Sequence, residues 1–361
     1  MEKRTLIIII VAISLAVIAL VLGLALGLTL NKKDDDKEQE IETGVVNSYD
    51  NTEELIKTFK VINPTTVKDG LEKNIQNRLV TGFANWNRGF ETWKEWGNIL
   101  YTKDSIYNVH GARLTLEHYQ EDMFDTLGKM QIDMGNFNNM LIVGNYCAIY
   151  YDISIRGRSG TTMEFVQFKD YGNTSDPDVR VVEGWGGVKD DTYYDSKERQ
   201  GSSEKKVQEE QDNFLLYYIP EESTTIDLTE KYFIKYETDN EDPGNKIRNI
   251  ILAGFESWNK GIDDYKIWVD TNFDTNAKSK YGDRERDVTK YKEEITDLFK
   301  NETITKLYFD NFLIRDNWAA IHYRFRSEDV KNTRTRFGDR MEFFKFEEKN
   351  GQLKIIGNWL K

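Results

Sequence analysis

The sequence has little cysteine, no excess of positive charge and none of the common catalytic signatures. Its single cysteine, Cys147, excludes a disulfide within the chain and leaves both a cytosolic and an extracellular protein open. The net charge is −13 without any Lys/Arg cluster, which argues against a nucleic-acid partner. There is no His-Glu-x-x-His, no cysteine pair, no phosphate-binding glycine loop and no Gly-x-Ser-x-Gly. We therefore expect no metal and no other cofactor.

Aromatic residues, by contrast, are abundant: they make up 13% of the chain, with 8 Trp, 19 Tyr and 19 Phe. This is enough bulk for two hydrophobic cores and argues against disorder. At about 100–200 residues per domain, a chain of 361 residues has room for two globular domains beside an anchor.

The anchor is predicted from the N-terminal run Thr5–Leu30, which contains no charged side chain and is 26 residues long, 17 of them Leu, Ile or Val. As a helix it would extend about 39 Å, against a bilayer core of about 30 Å. A cleaved signal peptide is the alternative, but its apolar part would be only about 7–15 residues long, and Leu28–Asn31 is a poor cleavage site. We predict that residues 5–30 form an uncleaved transmembrane helix in contact with the lipid bilayer.

The flanks of this run give the expected orientation. Residues 1–4 form a short head and residues 31–47 a charged spacer, and lysines on both sides leave the charge rule undecided. A short head before a signal-anchor usually stays inside, so we expect a single-pass protein whose C-terminal domains are extracytoplasmic. Two sequons, at Asn173 and Asn301, would then be glycosylated if the host is a eukaryote.

An internal duplication defines the domains. Gly82–Trp96 and Gly254–Trp268 are identical at seven of fifteen positions, and the same spacing of 172 residues continues without a gap through Tyr151 and Tyr323. Ordinary composition would give about one identity. We predict domain one at residues 48–188, a polar linker at 189–224 and domain two at 225–361.

Each copy has the pattern of helices followed by strands. Apolar residues recur every three or four positions from Ile75 to Phe90, which predicts an amphipathic helix, and glycine (Gly89 in copy one) allows a turn into a second. A third helix is predicted at 116–127 and 288–299. Alternation from Leu141 to Arg156 predicts one long strand with a single apolar face. The predicted fold class is α+β, with an antiparallel sheet.

Specific motifs carry a family resemblance. A helix ending in Trp86-Asn-Arg-Gly89, the segment Asp104-Ser-Ile-Tyr107 and the closing Gly351-x-Leu-Lys-Ile-Ile-x-x-Trp359 resemble the SnoaL-like group of the nuclear transport factor 2-like superfamily. The resemblance covers residues 75–187 and 247–361. It implies two cone-shaped domains in which a curved sheet wraps around helices and encloses an aromatic pocket. Members commonly dimerise through the open sheet face, so the two domains are expected to pair with each other.

The resemblance also implies candidate site residues. Glu183 and His110 form a candidate acid–base pair in domain one, the alternative being that Glu183 lies in solvent and His110 caps a loop. In copy two, Gly357 and Gly282 occupy these positions. Glu164 recurs as Glu342 and is interpreted as pairing with Arg or Lys across the sheet. The candidate pocket residues are Trp86, Tyr107, Asn108, Tyr151, Trp185, Trp258 and Trp359.

Two hypotheses about function follow, and the sequence leaves open whether the protein is an enzyme. The first is a non-catalytic, membrane-anchored module that binds a small apolar ligand or a protein partner. The second is a cofactor-free enzyme of the cyclase, isomerase or hydratase type, acting by general acid–base catalysis in domain one. The first is favoured because the two copies differ at the candidate catalytic positions.

Overall fold

A computed structural model describes most of the C-terminal part of the chain. It describes residues 52–109, 112–128, 130–173, 178–187, 192–195, 236–238, 241–281, 284–329 and 334–361. The predicted head, transmembrane helix and spacer at residues 1–47 lie outside these ranges, as do His110 and most of the predicted linker. Within the described part of the chain, no helix combines the length and apolarity needed to cross a bilayer.

Half one, residues 52–187, contains helices and one sheet. Its elements are α1 (Thr52–Thr58), β1 (Val61–Asn63), α2 (Leu71–Asn87), α3 (Phe90–Leu100), β2 (Tyr101–Val109), β3 (Ala112–Thr115), α4 (Leu116–Leu127), β4 (Ile132–Val143), β5 (Tyr146–Ile155), β6 (Arg158–Asp170) and β7 (Val179–Gly186). The strand order in its sheet is β1-β4-β5-β6-β7-β2-β3. A short strand, β8 (Thr192–Asp195), follows within the predicted linker and pairs with half two.

Half two, residues 236–361, repeats this plan. Its elements are β9 (Tyr236–Thr238), α5 (Glu241–Lys260), α6 (Ile262–Asn272), β10 (Phe273–Tyr281), β11 (Arg284–Asp287), α7 (Val288–Phe299), β12 (Glu302–Arg315), β13 (Trp318–Asp329), β14 (Arg334–Lys349) and β15 (Gln352–Leu360). The sheet runs β9-β12-β13-β14-β15-β10-β11, the same order of corresponding strands as in half one, and β8 pairs with β14. The mixed helix-and-sheet class and the two sheets agree with the predicted α+β duplication.

The most conserved motif between the halves has a packing cause. A Cβ atom on Gly82 in α2 would lie 2.6 Å from Cη2 of Trp96 in α3, and one on Gly254 in α5 would lie 2.7 Å from Cζ2 of Trp268 in α6. Only glycine lets the indole ring lie against the helix backbone. The repeated Gly and Trp are therefore one contact between consecutive helices, made once in each half.

The predicted single strand from Leu141 to Arg156 is wrong. A turn at residues 144–145, with Gly144 at a φ of 59°, divides it into β4 and β5, which pair antiparallel. Because the chain reverses there, Leu141 and Val143 lie on the opposite face of the sheet from Cys147. The Gly-Asn dipeptide at the turn is a recognised hairpin signal.

Both faces of each sheet carry buried residues. The inner face packs on the helices of the same half, whereas the outer face contributes to one cluster of both halves, hereafter the shared cluster. Its buried members are Leu141, Val143, Ala148, Tyr150, Met163, Phe165, Trp185, Leu313, Trp318, Ala320, Met341 and Phe343. Contacts across it come in related pairs: the rings of Tyr150 and Phe343 lie 6.5 Å apart, and those of Phe165 and His322 lie 5.8 Å apart.

Candidate functional site

A buried carboxyl group lies in the interior of half one. Glu164 projects from β6, and the Tyr151 hydroxyl donates to its Oε1 at 2.5 Å while the Tyr107 hydroxyl donates to its Oε2. The Glu164 residue as a whole is half-buried, but its carboxyl points inward among these rings. Burial raises the pKa of Glu164, and the two hydrogen bonds oppose that effect only in part.

The carboxyl is part of the wall of a small aromatic cavity. The cavity has a volume of about 70 Å³. The rings of Tyr107 and Tyr119 stack at 4.2 Å beside it. The Nε1 atom of Trp96, a further lining residue, has no hydrogen-bond partner among the described residues. The aromatic lining consists of Phe83, Trp86, Trp93, Trp96, Tyr101, Tyr107, Tyr119, Tyr151 and Phe168.

Half two builds an equivalent site around Glu342. The Tyr323 hydroxyl donates to Oε1 of Glu342 at 2.5 Å, and Nδ2 of Asn358 donates to its Oε2 at 3.0 Å. The Ser279 hydroxyl lies 3.1 Å from Oδ1 of Asn358 and holds that amide. Burial raises the pKa of Glu342 as well. The adjoining cavity has a volume of about 50 Å³ and is likewise mainly aromatic.

The second hydrogen-bond donor to the carboxyl differs between the halves, and the difference involves two positions that change together. Tyr107 corresponds to Ser279 and Gly184 corresponds to Asn358. The Tyr107 ring lies across β7, where a Cβ on Gly184 would overlap it and a Cβ on Gly186 would lie 2.9 Å from Cε1. A large donor on β2 thus requires glycine on β7, whereas a small residue on β2 leaves room for Asn358. The carboxyl keeps two donors in either case.

Four of the sequence-predicted pocket residues line the cavities. Trp86, Tyr107 and Tyr151 line the cavity of half one, and Trp258 lines that of half two. The structure thus brings Tyr107 and Tyr151 together on Glu164, a residue that the sequence analysis left outside the candidate site.

The other predicted site residues lie on the outer face of the sheets. In β7 the register shifts so that Phe168 pairs with Val181 but Gln167 pairs with Glu183. The bulge at Val182 reverses the alternation, so Gly184 faces inward while Glu183 and Trp185 face outward. Trp185 joins the shared cluster, as does Trp359, whose ring lies 5.3 Å from that of Trp318.

Glu183 is paired with Asn108 on this outer face. Nδ2 of Asn108 donates to Oε1 of Glu183 at 3.2 Å. Burial and Asp310 raise the pKa of Tyr308 in half two, and Glu183 contributes to that increase. The structure therefore places Glu183 toward half two and apart from the Glu164 cavity, and the proposed partner His110 lies outside the described residues.

Glu164 and Glu342 are the site residues that the sequence analysis missed. Their recurrence in Met-Glu-Phe was visible, but it was interpreted as pairing with Arg or Lys across the sheet. The interpretation is incorrect for Glu164, whose carboxyl accepts hydrogen bonds from two tyrosines. The available signal was the recurrence of Tyr151 as Tyr323, since both hydroxyls reach the recurring carboxyl.

The remaining candidate positions are the two predicted glycosylation sites. Asn173 is exposed after β6, and Asn301 is half-buried in the turn before β12. Among the described residues, no group of three or more His, Cys, Asp or Glu side chains is arranged to hold a metal ion.

Comparison with known proteins gives only distant structural likeness. No protein-family model and no curated protein matches the chain. It is similar to an NTF2-like protein of unknown function from Cytophaga hutchinsonii, at 14% identity over 34% of this chain and 92% of that one, with a TM-score of 0.23. It is also similar to a candidate SnoaL-like polyketide cyclase from Jannaschia Sp. CCS1, at 10% identity over 34% and 89%, with a TM-score of 0.27. A third is AclR, a candidate hydroxylase from Streptomyces galilaeus, at 14% identity over 32% and 86%, with a TM-score of 0.25. Such low values assign no activity to this chain.

Proposed function

We propose that the chain is a non-catalytic tandem binding module in which each half, a nuclear transport factor 2-like domain, takes a small apolar ligand into its aromatic cavity. The observation that carries this proposal is the hydrogen bonding of the two buried carboxyls. Both oxygens of Glu164 and both oxygens of Glu342 already accept a hydrogen bond from the protein itself. The two carboxyls are therefore fixed parts of the cavity walls.

The difference between the halves supports binding over catalysis. A general base needs a particular geometry toward the proton it removes. Here the carboxyl and its two donors persist, while the second donor changes from the phenol of Tyr107 to the amide of Asn358. Both halves therefore retain a buried carboxyl whose oxygens accept hydrogen bonds from the protein. A binding site needs this because a buried carboxyl without hydrogen-bond partners would destabilise the fold.

Cavity volume limits the ligand. Volumes of about 70 and 50 Å³ compare with roughly 150 Å³ for an engineered cavity that holds benzene. A ligand of more than a few heavy atoms therefore requires the helices to move outward. Its surface should be apolar, with one donor able to share the carboxyl.

Native mass spectrometry of the full chain, purified from its host in mild detergent, tests the proposal. We expect one or two small molecules retained per chain. Leu79 and Ile251 are equivalent lining residues of the two cavities. Leu79→Phe and Ile251→Phe should each remove one bound molecule, and the double variant should remove both. Retention unchanged in the double variant, or an empty chain that also takes up no benzene, phenol or indole, would contradict ligand binding and favour a protein partner.

The alternative function is a cofactor-free acid–base enzyme of the cyclase, isomerase or hydratase type acting in half one. The observation that favours it is the position of Glu164 in an aromatic cavity, where burial raises the pKa of its carboxyl, as it does for carboxyl groups that act as general acids. If the retained molecule is converted by the native chain and not by the Glu164→Gln variant, the enzyme is the correct function.

The proposed setting of the module is a membrane surface. Residues 5–30 would anchor it, with both halves extracytoplasmic and paired through the shared cluster. Resistance to carbonate extraction that is lost on deleting residues 5–30 tests the anchor. Protease accessibility in sealed vesicles tests the orientation.

A further inference from the structure

A buried ion pair joins the two halves. Nη2 of Arg315, at the end of β12, lies 2.6 Å from Oε1 of Glu72 in α2, and the two side chains are only 1% and 6% exposed. Glu72 also accepts from the backbone nitrogens of Gly144 and Lys68, at 2.9 and 2.8 Å. Its carboxylate is thus almost entirely withdrawn from water, and both of its oxygens accept hydrogen bonds.

This pair breaks the symmetry of the surface around it. Most of the shared cluster is duplicated: Leu141 corresponds to Leu313, and Phe165 to Phe343. The contacts are reciprocal, as in an isologous dimer, because Tyr150–Phe343 is matched by His322–Phe165. Glu72, however, corresponds to Gly244, and Arg315 corresponds to Val143. The contact between positions 72 and 315 therefore carries both charges, whereas the related contact between positions 244 and 143 carries none.

We propose that Glu72 and Arg315 make the shared surface selective for the combination of half one with half two, and exclude pairing of like halves from two chains. If two copies of half one paired in the same geometry, each Glu72 would be buried against Val143. If two copies of half two paired, each Arg315 would lose Glu72 and face Gly244. Removing one partner of a buried ion pair costs roughly a hundredfold or more in an equilibrium constant.

The two halves are covalently joined, so the permitted combination forms within one chain. Intramolecular pairing benefits from a high effective concentration, which an intermolecular contact lacks. When like halves pair, a buried charge that has lost its ion-pair partner opposes the association. The apolar cluster stabilises any pairing of two halves, whether like or unlike. This inference is independent of whether the cavities hold a ligand.

The test moves the arginine to its equivalent position in the other half. The Val143→Arg/Arg315→Val variant of the full chain has the same composition and net charge as the native protein. In two copies of its half one, each Glu72 meets an arginine, whereas pairing within the chain places Glu72 against the new valine and the new arginine against Gly244, so that neither charge has its ion-pair partner. Sedimentation in detergent micelles should show a native monomer and a variant dimer, with the dimer dissociation constant at least about 100-fold lower.

Crosslinking gives a second readout. Thr66 and Asp316 are exposed, and their side chains meet across the halves at 3.1 Å, whereas Cys147 is buried. With Thr66→Cys and Asp316→Cys added, a short bismaleimide should join them within the native chain and fail to do so in the moved-arginine variant. A variant that stays monomeric and crosslinks like the native chain overturns the proposal. If that variant lacks a cooperative thermal transition, the reciprocal Glu72→Gly/Gly244→Glu variant decides between the same two results.

Discussion

At the scale of the residue, the buried carboxyls have a consequence for pH dependence. The pKa of Glu164 in the folded chain is raised above its ordinary value of 4.5 by burial. The stabilisation by the neutral acid is therefore complete below about pH 4.5 and is lost as the pH rises through the folded pKa. A group that cannot ionise at this position would show no such loss.

The Glu164→Gln variant tests this. At pH 4 it should be less stable than the native chain by about 1–2 kcal/mol, because the amide replaces an oxygen that accepts from a tyrosine. The deficit should shrink as the pH rises to 8, since the native chain loses the contribution of Glu164 and the variant has no such contribution to lose. Thermal unfolding followed by near-ultraviolet circular dichroism gives both values, and Glu342→Gln should repeat the pattern. A deficit that grows with pH would mean that the folded pKa is lowered.

A second residue-scale prediction concerns the exchange of Tyr107 and Gly184 for Ser279 and Asn358. Gly184→Ala alone should destabilise the chain by about 1–3 kcal/mol, because the new methyl group overlaps the Tyr107 ring. In a Tyr107→Ser background the same substitution should cost almost nothing. Equal costs in both backgrounds, measured as a double-mutant cycle, would show that the two positions are uncoupled.

The residue scale is also where the sequence was least informative. Tyr107 and Tyr151 were identified as pocket residues from the family resemblance, but their common partner Glu164 was not. Pairing of a glutamate with tyrosines depends on which strands are neighbours, and β2, β5 and β6 are brought together only by the sheet order. Residue spacing along the chain carries no information about that order.

At the scale of the element, helices were predicted better than strands. The helix at 116–127 and its repeat at 288–299 have the predicted bounds, since helical periodicity is local. Strand faces were less accurate because one extra residue reverses every later side chain. The bulge at Val182 turned Trp185 outward, and the turn at Gly144 divided one predicted strand into two.

The contact between consecutive helices gives an element-scale prediction. Gly82→Ala and Gly254→Ala should each destabilise the chain by about 1–2 kcal/mol, although alanine favours helix by about 1 kcal/mol over glycine. The reason is the overlap with Trp96 or Trp268. Gly97→Ala in α3 is the matched control: its Cβ would meet only Nε2 of Gln120, at 3.2 Å, a less severe contact than either overlap with an indole ring. Chemical unfolding of the three variants should rank Gly97→Ala as nearly neutral, and a stabilised Gly82→Ala would refute the packing argument.

At the scale of the whole molecule, the outer faces of the sheets explain a discrepancy in the sequence pattern. The alternation in the sequence predicts one apolar face along the β5 region, yet Ala148 and Tyr150 on the other face are buried. A sheet covered on both sides needs apolar or aromatic residues on both sides. The outer face of the half-one sheet packs against the outer face of half two. No local sequence pattern in half one reveals this contact.

The shared cluster should make the two halves unfold together, and a charge placed in it should separate them. Ala148 is fully buried there, so Ala148→Arg inserts a charge without a partner, at a cost of roughly 3–5 kcal/mol to the pairing. Calorimetry should show one cooperative transition for the native chain and two for this variant, because the separated halves unfold independently. Ser159→Arg, on the exposed end of β6, is the control and should keep a single transition. Ala320 occupies the equivalent position in half two, so Ala320→Arg should also give two transitions. If both variants retain one transition at a lower temperature, the halves form a single folding unit that the cluster alone does not define.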